Sequence, residues 1–338
     1  METRRPLIVD IKRDSREDGP GIRTVAFFKG CPLRCAFCHN PEAQETGPEI
    51  AFAEERCIQC GECVKACPRA AIALENFDRI DRSRCDGCGQ CAAVCRGGAL
   101  RVIGAYWPVE KLAEALLRDA AFYRHSGGGV TLSGGECTMF PAYVQDVLRR
   151  LKAHNIHVAV ETSGHFEWKA FSRKILPHLD LVLIDLKLAD RAESIRYLSQ
   201  SNESILHNLR RLLAQDTVEV RVRIPLIPGI TDSYGNLAAI VDFLRAAGAH
   251  DVSLLPYNPL GLAMYRRLGR HVPDLPSSFT APEREQELFK IFRGIIAEPT
   301  KHTDELIRTA GTIRQPPFAA QQQATTCSRK CLTEEREL

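Results

Sequence analysis

The sequence predicts an α/β protein built on an open, partial (β/α)6 barrel of parallel strands, with a small cysteine-rich domain inserted near its start. Three observations support this fold class. The 338 residues are 44% hydrophobic, which suits one sizeable core with a smaller module attached. From about residue 104 onward, strand-like and helix-like patterns alternate, as in parallel sheets with helical crossovers. Residues 51–103 differ, because they are dense in Cys and Gly and contain an internal repeat of four cysteines.

Six segments have the composition of buried strands. The first is apolar over most of its length and runs directly into Gly30. The predicted strands are 24–29, 129–132, 156–161, 180–185, 218–224 and 251–256. Six such units are too few to close an eight-stranded barrel, so the pattern favours a barrel that stays open on one side.

Helices with one apolar face are predicted between these strands. Pro108 and Pro141 suit the first turn of two of them. The apolar faces comprise Val109, Leu112 and Leu116 in the first and Val144, Val147, Leu148 and Leu151 in the second. Further helices are expected before the strand at 180–185, near 204–214, near 236–247 and over about 282–297. The chain therefore divides into the start of the barrel (1–50), the insert (51–103), the rest of the barrel (104–300) and a poorly ordered tail (301–338).

Charge and hydropathy exclude several classes of partner. The net charge is only +3, from 45 basic and 42 acidic side chains, which gives no reason to expect a nucleic acid or an anionic membrane. The sequence has no apolar run near the roughly 20 residues that span a bilayer, and its start lacks the apolar segment of a signal peptide. We therefore expect a cytoplasmic protein, in which the 14 cysteines serve as metal ligands or catalysts and not as disulfides.

The first cysteine group follows the first predicted strand. It comprises Cys31, Cys35 and Cys38, with spacings of three and two residues. Iron–sulfur cubes are usually held by four cysteines, so three thiolates leave one iron open to a substrate or cofactor. Zinc is the alternative metal at this position, with His39 as its fourth ligand.

Polar or glycine-rich residues follow all six predicted strands. Ligands of parallel α/β barrels bind at the carboxyl ends of the strands, so these residues are candidates for one shared site. After the first cysteine group, the strand ends carry Gly134, Gly135 and Glu136, then Glu161 and Thr162, then Asp185, Leu186 and Lys187, then Arg223, and finally Asn258. The two glycines permit close approach of a ligand to the backbone. Arg223 suits a ligand carboxylate, with a surface salt bridge as the alternative.

The cysteine spacing, with an aromatic residue before Cys38, resembles the signature of the radical S-adenosylmethionine (SAM) superfamily. The resemblance implies that the open iron of a [4Fe-4S] cluster chelates SAM and that one electron cleaves its C–S bond. A 5′-deoxyadenosyl radical then abstracts a hydrogen atom. It also implies that Phe37 packs near the adenine, that Gly-Gly-Glu136 receives the SAM amino group, and that Arg223 pairs with the SAM carboxylate. Glu161, Thr162 and Asp185 correspond to positions that hold a monovalent cation in relatives.

A narrower resemblance is to the glycyl radical enzyme activating enzymes. It covers about residues 7–262 and rests on several motifs: Asp18-Gly-Pro-Gly-Ile-Arg23, Phe28-Lys-Gly-Cys-Pro-Leu-Arg-Cys35, Cys38-His-Asn-Pro-Glu42, Ser126-Gly-Gly-Gly-Val-Thr-Leu-Ser-Gly-Gly-Glu136, Asp185-Leu-Lys187, Ile227-Pro-Gly229 and Leu254-Leu-Pro-Tyr257. The resemblance implies that the substrate is one glycine of a partner enzyme and that flavodoxin or ferredoxin donates the electron. His39, Leu186, Lys187 and Asn258 fall among the cofactor-binding positions. Asn258 replaces a histidine of many relatives, which puts its SAM contact in doubt.

The insert contains two runs of the bacterial ferredoxin type, Cys-x2-Cys-x2-Cys-x3-Cys. In two-cluster ferredoxins the fourth cysteine of each run ligates the other cluster. The resemblance therefore implies one cluster on Cys57, Cys60, Cys63 and Cys95 and another on Cys85, Cys88, Cys91 and Cys67. With the first cysteine group, this makes three [4Fe-4S] clusters. We hypothesise that the insert relays electrons; a structural role and a zinc ribbon are the alternatives.

Two other functions remain open at this stage. One is a radical SAM enzyme that acts on a small molecule or another peptide. The other is a pure electron-transfer iron–sulfur protein, which would leave Cys31, Cys35 and Cys38 without a task. Cys137 is interpreted as a packing residue, and the Cys327/Cys331 pair as non-functional.

Overall fold

The computed structural model describes residues 5–297. The predicted tail (301–338), with its two cysteines, lies outside the described residues. Within them, no helix is both long and apolar enough to cross a membrane.

Strands of the described region form one eight-stranded mixed sheet and one two-stranded sheet. They are β1 (Leu7–Ser15), β2 (Arg23–Lys29), β3 (Glu49–Phe52), β4 (Leu100–Ile103), β5 (Ala105–Tyr106), β6 (Gly129–Gly134), β7 (His157–Thr162), β8 (Leu181–Asp185), β9 (Glu219–Pro225) and β10 (Val252–Leu255). The large sheet has the order β10-β9-β8-β7-β6-β2-β1-β5. All six predicted strands are confirmed within two residues at each end. They are neighbours in chain order and parallel to one another.

Strand β1 was not predicted, and it pairs antiparallel with β2 on one side and with β5 on the other. Its sequence, Leu-Ile-Val-Asp-Ile-Lys-Arg-Asp-Ser, is mostly half-buried or exposed. A strand of this kind lacks the continuous apolar run by which buried parallel strands are recognised. The sheet is therefore mixed, and it extends beyond the six-stranded parallel part that the sequence predicts.

Helices cover the parallel part of the sheet, and those with the clearest apolar periodicity are the ones that were predicted. The structure has α1 (Glu62–Ala66), α2 (Gln90–Ala93), α3 (Val109–Leu117), α4 (Ala120–Ser126), α5 (Pro141–Lys152), α6 (Trp168–Lys174), α7 (Arg191–Leu198), α8 (Glu203–Leu213), α9 (Tyr234–Ala246), α10 (Leu262–Arg267) and α11 (Pro282–Ala297). The apolar face predicted for α5 is fully buried. Short helices such as α4, α7 and α10 were missed, because six to eight residues give too little periodicity.

Both faces of the parallel sheet are buried, and alternate residues of each strand face opposite sides. The main core lies between the sheet and the helices and includes Val158 and Val160 of β7 and Val182 of β8. The residues between them form a separate small cluster on the other face, which contains Ala159 and Leu183. Side chains near the carboxyl ends of neighbouring strands that face the same side of the sheet therefore lie next to one another.

The cysteine-rich insert is closed by β3 and β4, which pair antiparallel over residues 49–52 and 100–103. Its own core is small, with seven buried residues: Ile50, Phe52, Ile72, Ile80, Cys91, Ala99 and Leu100. Segments with so little apolar burial usually need metal to fold.

A buried charge network joins this insert to the rest of the chain. Lys29, at the end of β2, is completely buried, and its Nζ donates to Glu49 Oε2 and to the Glu42 carbonyl, both at 2.6 Å. The other oxygen of Glu49 accepts from Arg270 Nη2 at 2.6 Å. Arg270 also donates to the Pro41 carbonyl. The first strand of the insert thus holds the segment that follows the first cysteine group.

We expect Glu49→Gln to lower the thermal unfolding midpoint of the anaerobically reconstituted protein. Breaking one side of a buried ion pair leaves the Lys29 charge uncompensated, at a cost of about 3 kcal/mol. Glu62→Gln is the matched control, because its partner Lys65 is exposed and such pairs contribute about 0.5 kcal/mol. Equal midpoints for the two variants in scanning calorimetry would contradict the importance of this network.

Candidate active site

The first cysteine group lies on a loop that the surrounding backbone holds in place. Its first amide groups donate to neighbouring carbonyls, from Gly30 to Ala43 at 2.7 Å and from Cys31 to Gln44 at 3.0 Å. Further along, the Ala36 amide donates to the Tyr197 carbonyl at 2.8 Å. The loop is therefore fixed at both ends without using any thiol.

Burial makes all three thiols of this loop reluctant to ionise. It raises the pKa of Cys31 to about 12, with Glu136 and Cys35 acting in the same direction. Burial likewise raises the pKa values of Cys35 and Cys38. Three neighbouring thiolates therefore need a cationic group to bind them, and an iron–sulfur cluster fits this donor set.

Gly134 and Gly135 pack against the start of the cysteine loop. A Cβ at Gly134, where φ is +113°, would lie 2.1 Å from the Phe28 nitrogen. A Cβ at Gly135 would lie 2.3 Å from the Gly30 oxygen and 2.4 Å from the Ala43 oxygen. The nearby backbone therefore requires glycine at both positions. This reason is separate from the close approach of a ligand that the sequence suggested.

Glu136 is completely buried, and its carboxylate links two strand ends. Oε1 accepts from the hydroxyls of Thr138 at 2.7 Å and Thr162 at 2.9 Å. Oε2 accepts from the Ser163 amide at 2.9 Å and from its hydroxyl at 2.6 Å. The chain itself therefore supplies four donors to this side chain, which ties the end of β6 to the end of β7.

Four predicted site residues form one ion network at the ends of β7, β8 and β9. Arg223 donates to Glu161 through Nη1 and to Asp185 through Nε, the latter at 2.8 Å. Lys187 Nζ donates to the other oxygen of Asp185 at 3.1 Å. All four side chains are at most about one-fifth exposed. Arg223 is therefore engaged in a buried network, which contradicts the alternative of a surface salt bridge.

The two carboxylates of this network differ in acidity. Burial raises the pKa of Glu161 to about 7, although the charge of Arg223 opposes this shift. Burial also acts to raise the pKa of Asp185, but Arg223 and Lys187 together hold it below its usual value. The network therefore combines two basic side chains with two carboxylates, of which Asp185 is the more acidic.

The other residues predicted to contact the cofactor differ in how deeply they are buried. Phe37 is buried in a small cluster with Leu188, Tyr257 and others, as expected of a core aromatic. The Leu186 side chain belongs to the main core, so only its backbone faces the strand-end edge. Asn258 lies at the end of β10, where its side chain accepts from the Leu260 amide at 3.0 Å and hydrogen-bonds His39.

Cysteines of the insert surround two separate cavities. One is lined by Cys57, Cys60, Cys63 and Cys95, which we call the Cys57 site. The other is lined by Cys67, Cys85, Cys88 and Cys91, which we call the Cys85 site. The fourth cysteine of each run thus joins the other run, the arrangement that the ferredoxin resemblance implies.

The internal repeat of the insert is also present in its backbone. Gln59 and Gly87 both have left-handed φ values, +54° and +71°. Gly61 and Gly89 likewise have φ values of +76° and +81° and precede α1 and α2. Each half therefore wraps its cysteines in the same turn.

Several residues that shape these sites were missed by sequence analysis. Tyr265 of α10 donates its hydroxyl to the Cys38 carbonyl at 3.1 Å. Lys29 was visible as a charge at the end of an otherwise apolar strand, a signal that a buried partner exists. Arg270 and Arg79 gave no signal, because their partners are distant in sequence. Cys137 is fully buried in the main core, as its interpretation as a packing residue requires.

Three family profiles match the chain. The profile described as "4Fe-4S dicluster domain" matches residues 49–96, and one described as "4Fe-4S single cluster domain" matches residues 17–69. The "Radical SAM superfamily" profile matches residues 82–241. Together with the strand-end site, these matches define a radical SAM protein that carries ferredoxin-like 4Fe-4S domains.

Curated relatives are more specific. The chain is 41% identical to the benzylsuccinate synthase activating enzyme of Thauera aromatica, over 78% of this chain and 82% of that protein. It is 38% identical to the trans-4-hydroxy-L-proline dehydratase activating enzyme of Clostridioides difficile, over 85% and 96% of the two chains. A solved domain of a pyruvate-formate lyase-activating enzyme from Bacteroides vulgatus matches with a TM-score of 0.41 and 28% identity, covering 50% of this chain and 95% of that domain. The chain belongs to the glycyl radical enzyme activating enzymes.

We expect Glu136→Gln to destabilise the protein by about 2 kcal/mol even without SAM, because an amide cannot accept from all the donors that face the carboxylate. The Thr138→Val control removes one donor and should cost about 1 kcal/mol. The measurement is the unfolding midpoint with and without SAM. An unchanged midpoint together with weakened SAM binding would show that the carboxylate contacts the ligand and does not hold the strand ends.

Proposed function

We propose that the enzyme carries three [4Fe-4S] clusters and acts on one glycine of a partner glycyl radical enzyme. Cys31, Cys35 and Cys38 hold the catalytic cluster, and the Cys57 and Cys85 sites hold the other two. The observation that carries this proposal is the placement of the three-cysteine loop beside the buried ion network at the carboxyl ends of the parallel strands. Membership of the activating enzyme family favours this function over a small-molecule radical SAM enzyme or an electron carrier.

The catalytic cluster, when bound, supplies the electron that cleaves SAM into methionine and a 5′-deoxyadenosyl radical, which takes the glycine Cα hydrogen. The chain's part is to bind and orient SAM and to exclude water. Lys187 is the favoured partner for the SAM carboxylate, because its ammonium group has three donors and, within residues 5–297, only Asp185 accepts from it. Arg223 already donates to two carboxylates, so its part is to orient them.

The monovalent cation remains a prediction. Two of its three expected ligands, Glu161 and Asp185, are paired with Arg223 and Lys187 in the described structure. A cation would therefore have to share these oxygens with the two basic groups. The third expected ligand, Thr162, donates its hydroxyl to Glu136. Phe37 and His39 remain proposed SAM contacts through their positions on the cysteine loop, as do Gly134, Gly135 and Glu136 on β6 and the following turn. Leu186, through its backbone, and Asn258 complete the proposed set.

We further propose that the insert passes electrons from a flavodoxin or a ferredoxin to the catalytic cluster. Support comes from the exposure of Cys60 and Cys88, one at each insert site, which gives an external donor access. The buried link through Glu49 and Lys29 also places the insert next to the cysteine loop.

Reductive cleavage of SAM tests the catalytic assignment. We expect Cys38→Ala to abolish 5′-deoxyadenosine formation by the anaerobically reduced protein, because the catalytic cluster loses one of its three ligands. Cys137→Ala is the control; it removes a thiol from the core and should retain the activity. The product is quantified by chromatography, and a glycyl doublet in electron paramagnetic resonance (EPR) identifies the partner. Full activity of Cys38→Ala would refute the assignment.

A choice of reductants tests the relay. We expect Cys60→Ala and Cys88→Ala to slow SAM cleavage strongly when reduced flavodoxin is the donor. Both variants should remain near wild type with dithionite, which is small enough to reach the catalytic cluster directly. Undiminished rates with flavodoxin would refute the relay and leave the insert a structural role. Iron content, measured in parallel, shows that the catalytic cluster is intact.

A further inference from the structure

Arg79 is a buried cation in the insert that the proposed function does not use. It is only 6% exposed and lines the Cys57 site. Its Nη2 lies 3.7 Å from Cys57 Sγ, within hydrogen-bond distance for sulfur. Its Nη1 donates to the Leu74 carbonyl at 2.6 Å, and its guanidinium lies 5.2 Å from the centre of the Phe52 ring. The side chain is therefore fixed with one edge toward the cysteine sulfur.

Among the described residues, Arg79 has no carboxylate within ion-pair distance. In the part of the chain that the structure describes, none of the ion pairs includes Arg79. Its Nε is buried and has no hydrogen-bond partner there. An isolated buried cation is costly unless a negative group compensates it. The thiolate-ligated cluster proposed for the Cys57 site would supply that negative charge.

Within the described residues, no arginine donates to a cysteine sulfur at the Cys85 site. Its nearest counterpart, Arg82, is half-buried with an unpartnered Nε and interacts electrostatically with Cys85, but its guanidinium donates to the Ile50 and Arg267 carbonyls. The arginine in its lining, Arg69, is 60% exposed and pairs with Asp86 at 2.8 Å. Each site receives one backbone N–H···S bond. Ala71 donates to Cys67 at 3.3 Å, and Leu100 donates to Cys95 at 3.4 Å. The contact of a buried guanidinium with a cysteine sulfur is what distinguishes the Cys57 site, whereas the carboxylate of Asp86 lines the Cys85 site.

We infer that Arg79 raises the reduction potential of the cluster in the Cys57 site above that of the cluster in the Cys85 site. The inference rests on the proposed presence of both insert clusters. On reduction, a cluster gains one electron and becomes more negative, so a nearby buried cation stabilises the reduced form. Hydrogen bonds to cluster sulfurs act in the same direction. Arg79 therefore acts through the cluster at the Cys57 site, where an electron delivered to the insert is more stable than at the Cys85 site.

Arg96 is a second candidate for such an effect, since it follows the last cysteine of the second run, where the first run has Pro68. In the structure Arg96 is exposed, and exposed charges are screened by water and salt. The tuning role falls to a residue outside both cysteine runs.

A redox titration tests the inference in the full-length chain. A Cys31→Ala/Cys35→Ala/Cys38→Ala background leaves the insert clusters as the reporters. The protein is titrated anaerobically with dithionite and mediators, and the reduced clusters are followed by EPR. A Cys60→Ser change assigns the signal of the Cys57 site, and a Cys88→Ser change assigns that of the Cys85 site. We expect the Cys57 site to be reduced first; the reverse order would overturn the inference without any change at Arg79.

Substitutions at Arg79 provide the second arm. Arg79→Gln keeps a donor but loses the charge, and should disfavour reduction of the Cys57 site at least tenfold, which is about 59 mV for a one-electron couple. Arg79→Lys restores the charge and should restore most of the potential. Arg69→Gln is the matched control at the Cys85 site and should shift its potential much less, because that charge is exposed and paired.

The possible outcomes separate this inference from the proposed function. Equal potentials for Arg79→Gln and wild type, or equal shifts for Arg79→Gln and Arg79→Lys, would overturn the role of the Arg79 charge while leaving three clusters in place. Iron and sulfide contents that correspond to fewer than two clusters in the insert would instead overturn the proposed composition. If the Arg79→Gln variant does not assemble a cluster at the Cys57 site, the order in which the two clusters are reduced in the chain with Arg79 still tests the inference.

Discussion

The structure depends on a parallel sheet that is buried on both faces. Such strands are apolar at most positions, and the charged side chains of the candidate site lie near the carboxyl ends of the strands. Glu161, Asp185 and Arg223 occupy these positions on three neighbouring strands, with Asp185 directly opposite Arg223 in the register. The same rule that builds the core therefore gathers the charged residues at one edge. The cysteine loop after β2 reaches this edge because β2 is parallel to its neighbour β6.

These polar groups differ in how many hydrogen-bond partners the protein supplies, and this difference separates structural groups from groups that can bind a ligand. Glu136 has four donors from the chain, and Lys29 has a carboxylate and a carbonyl. Such buried, paired groups hold the strand ends and the cysteine loop in place. Lys187 donates to a single carboxylate within the described residues, so it has fewer protein partners than Lys29. Because Lys187 also lies near the thiols of the cysteine loop, it marks the part of the carboxyl edge of the sheet that can accept an anionic ligand.

The sequence was sufficient for the parallel strands, the long helices and the position of the cysteine loop after the first of these strands. These features depend on local apolar periodicity and on motif spacing, both of which are visible in one chain. Other features depend on contacts between distant segments. The role of Gly135 depends on the backbone near Ala43, and the position of Lys29 depends on Glu49 and Arg270. Strand β1 was missed because a half-exposed strand is recognised only from its partner, and periodicity carries no information on pairing.

The two kinds of iron–sulfur site differ in what the protein contributes electrically. At the strand-end edge, basic and acidic side chains are combined in one network, so the local charge is close to balanced before any cofactor binds. At the Cys57 site, Arg79 stands without an acidic partner beside four thiols. A cluster with four thiolates is strongly anionic, so it compensates Arg79 and removes the cost of burying it. The insert has only a small apolar core, and electrostatic attraction of this kind adds to the metal–thiolate bonds that fold it. On the proposed cluster assignment, one buried guanidinium links cluster binding, folding of the insert and the reduction potential of the Cys57 site.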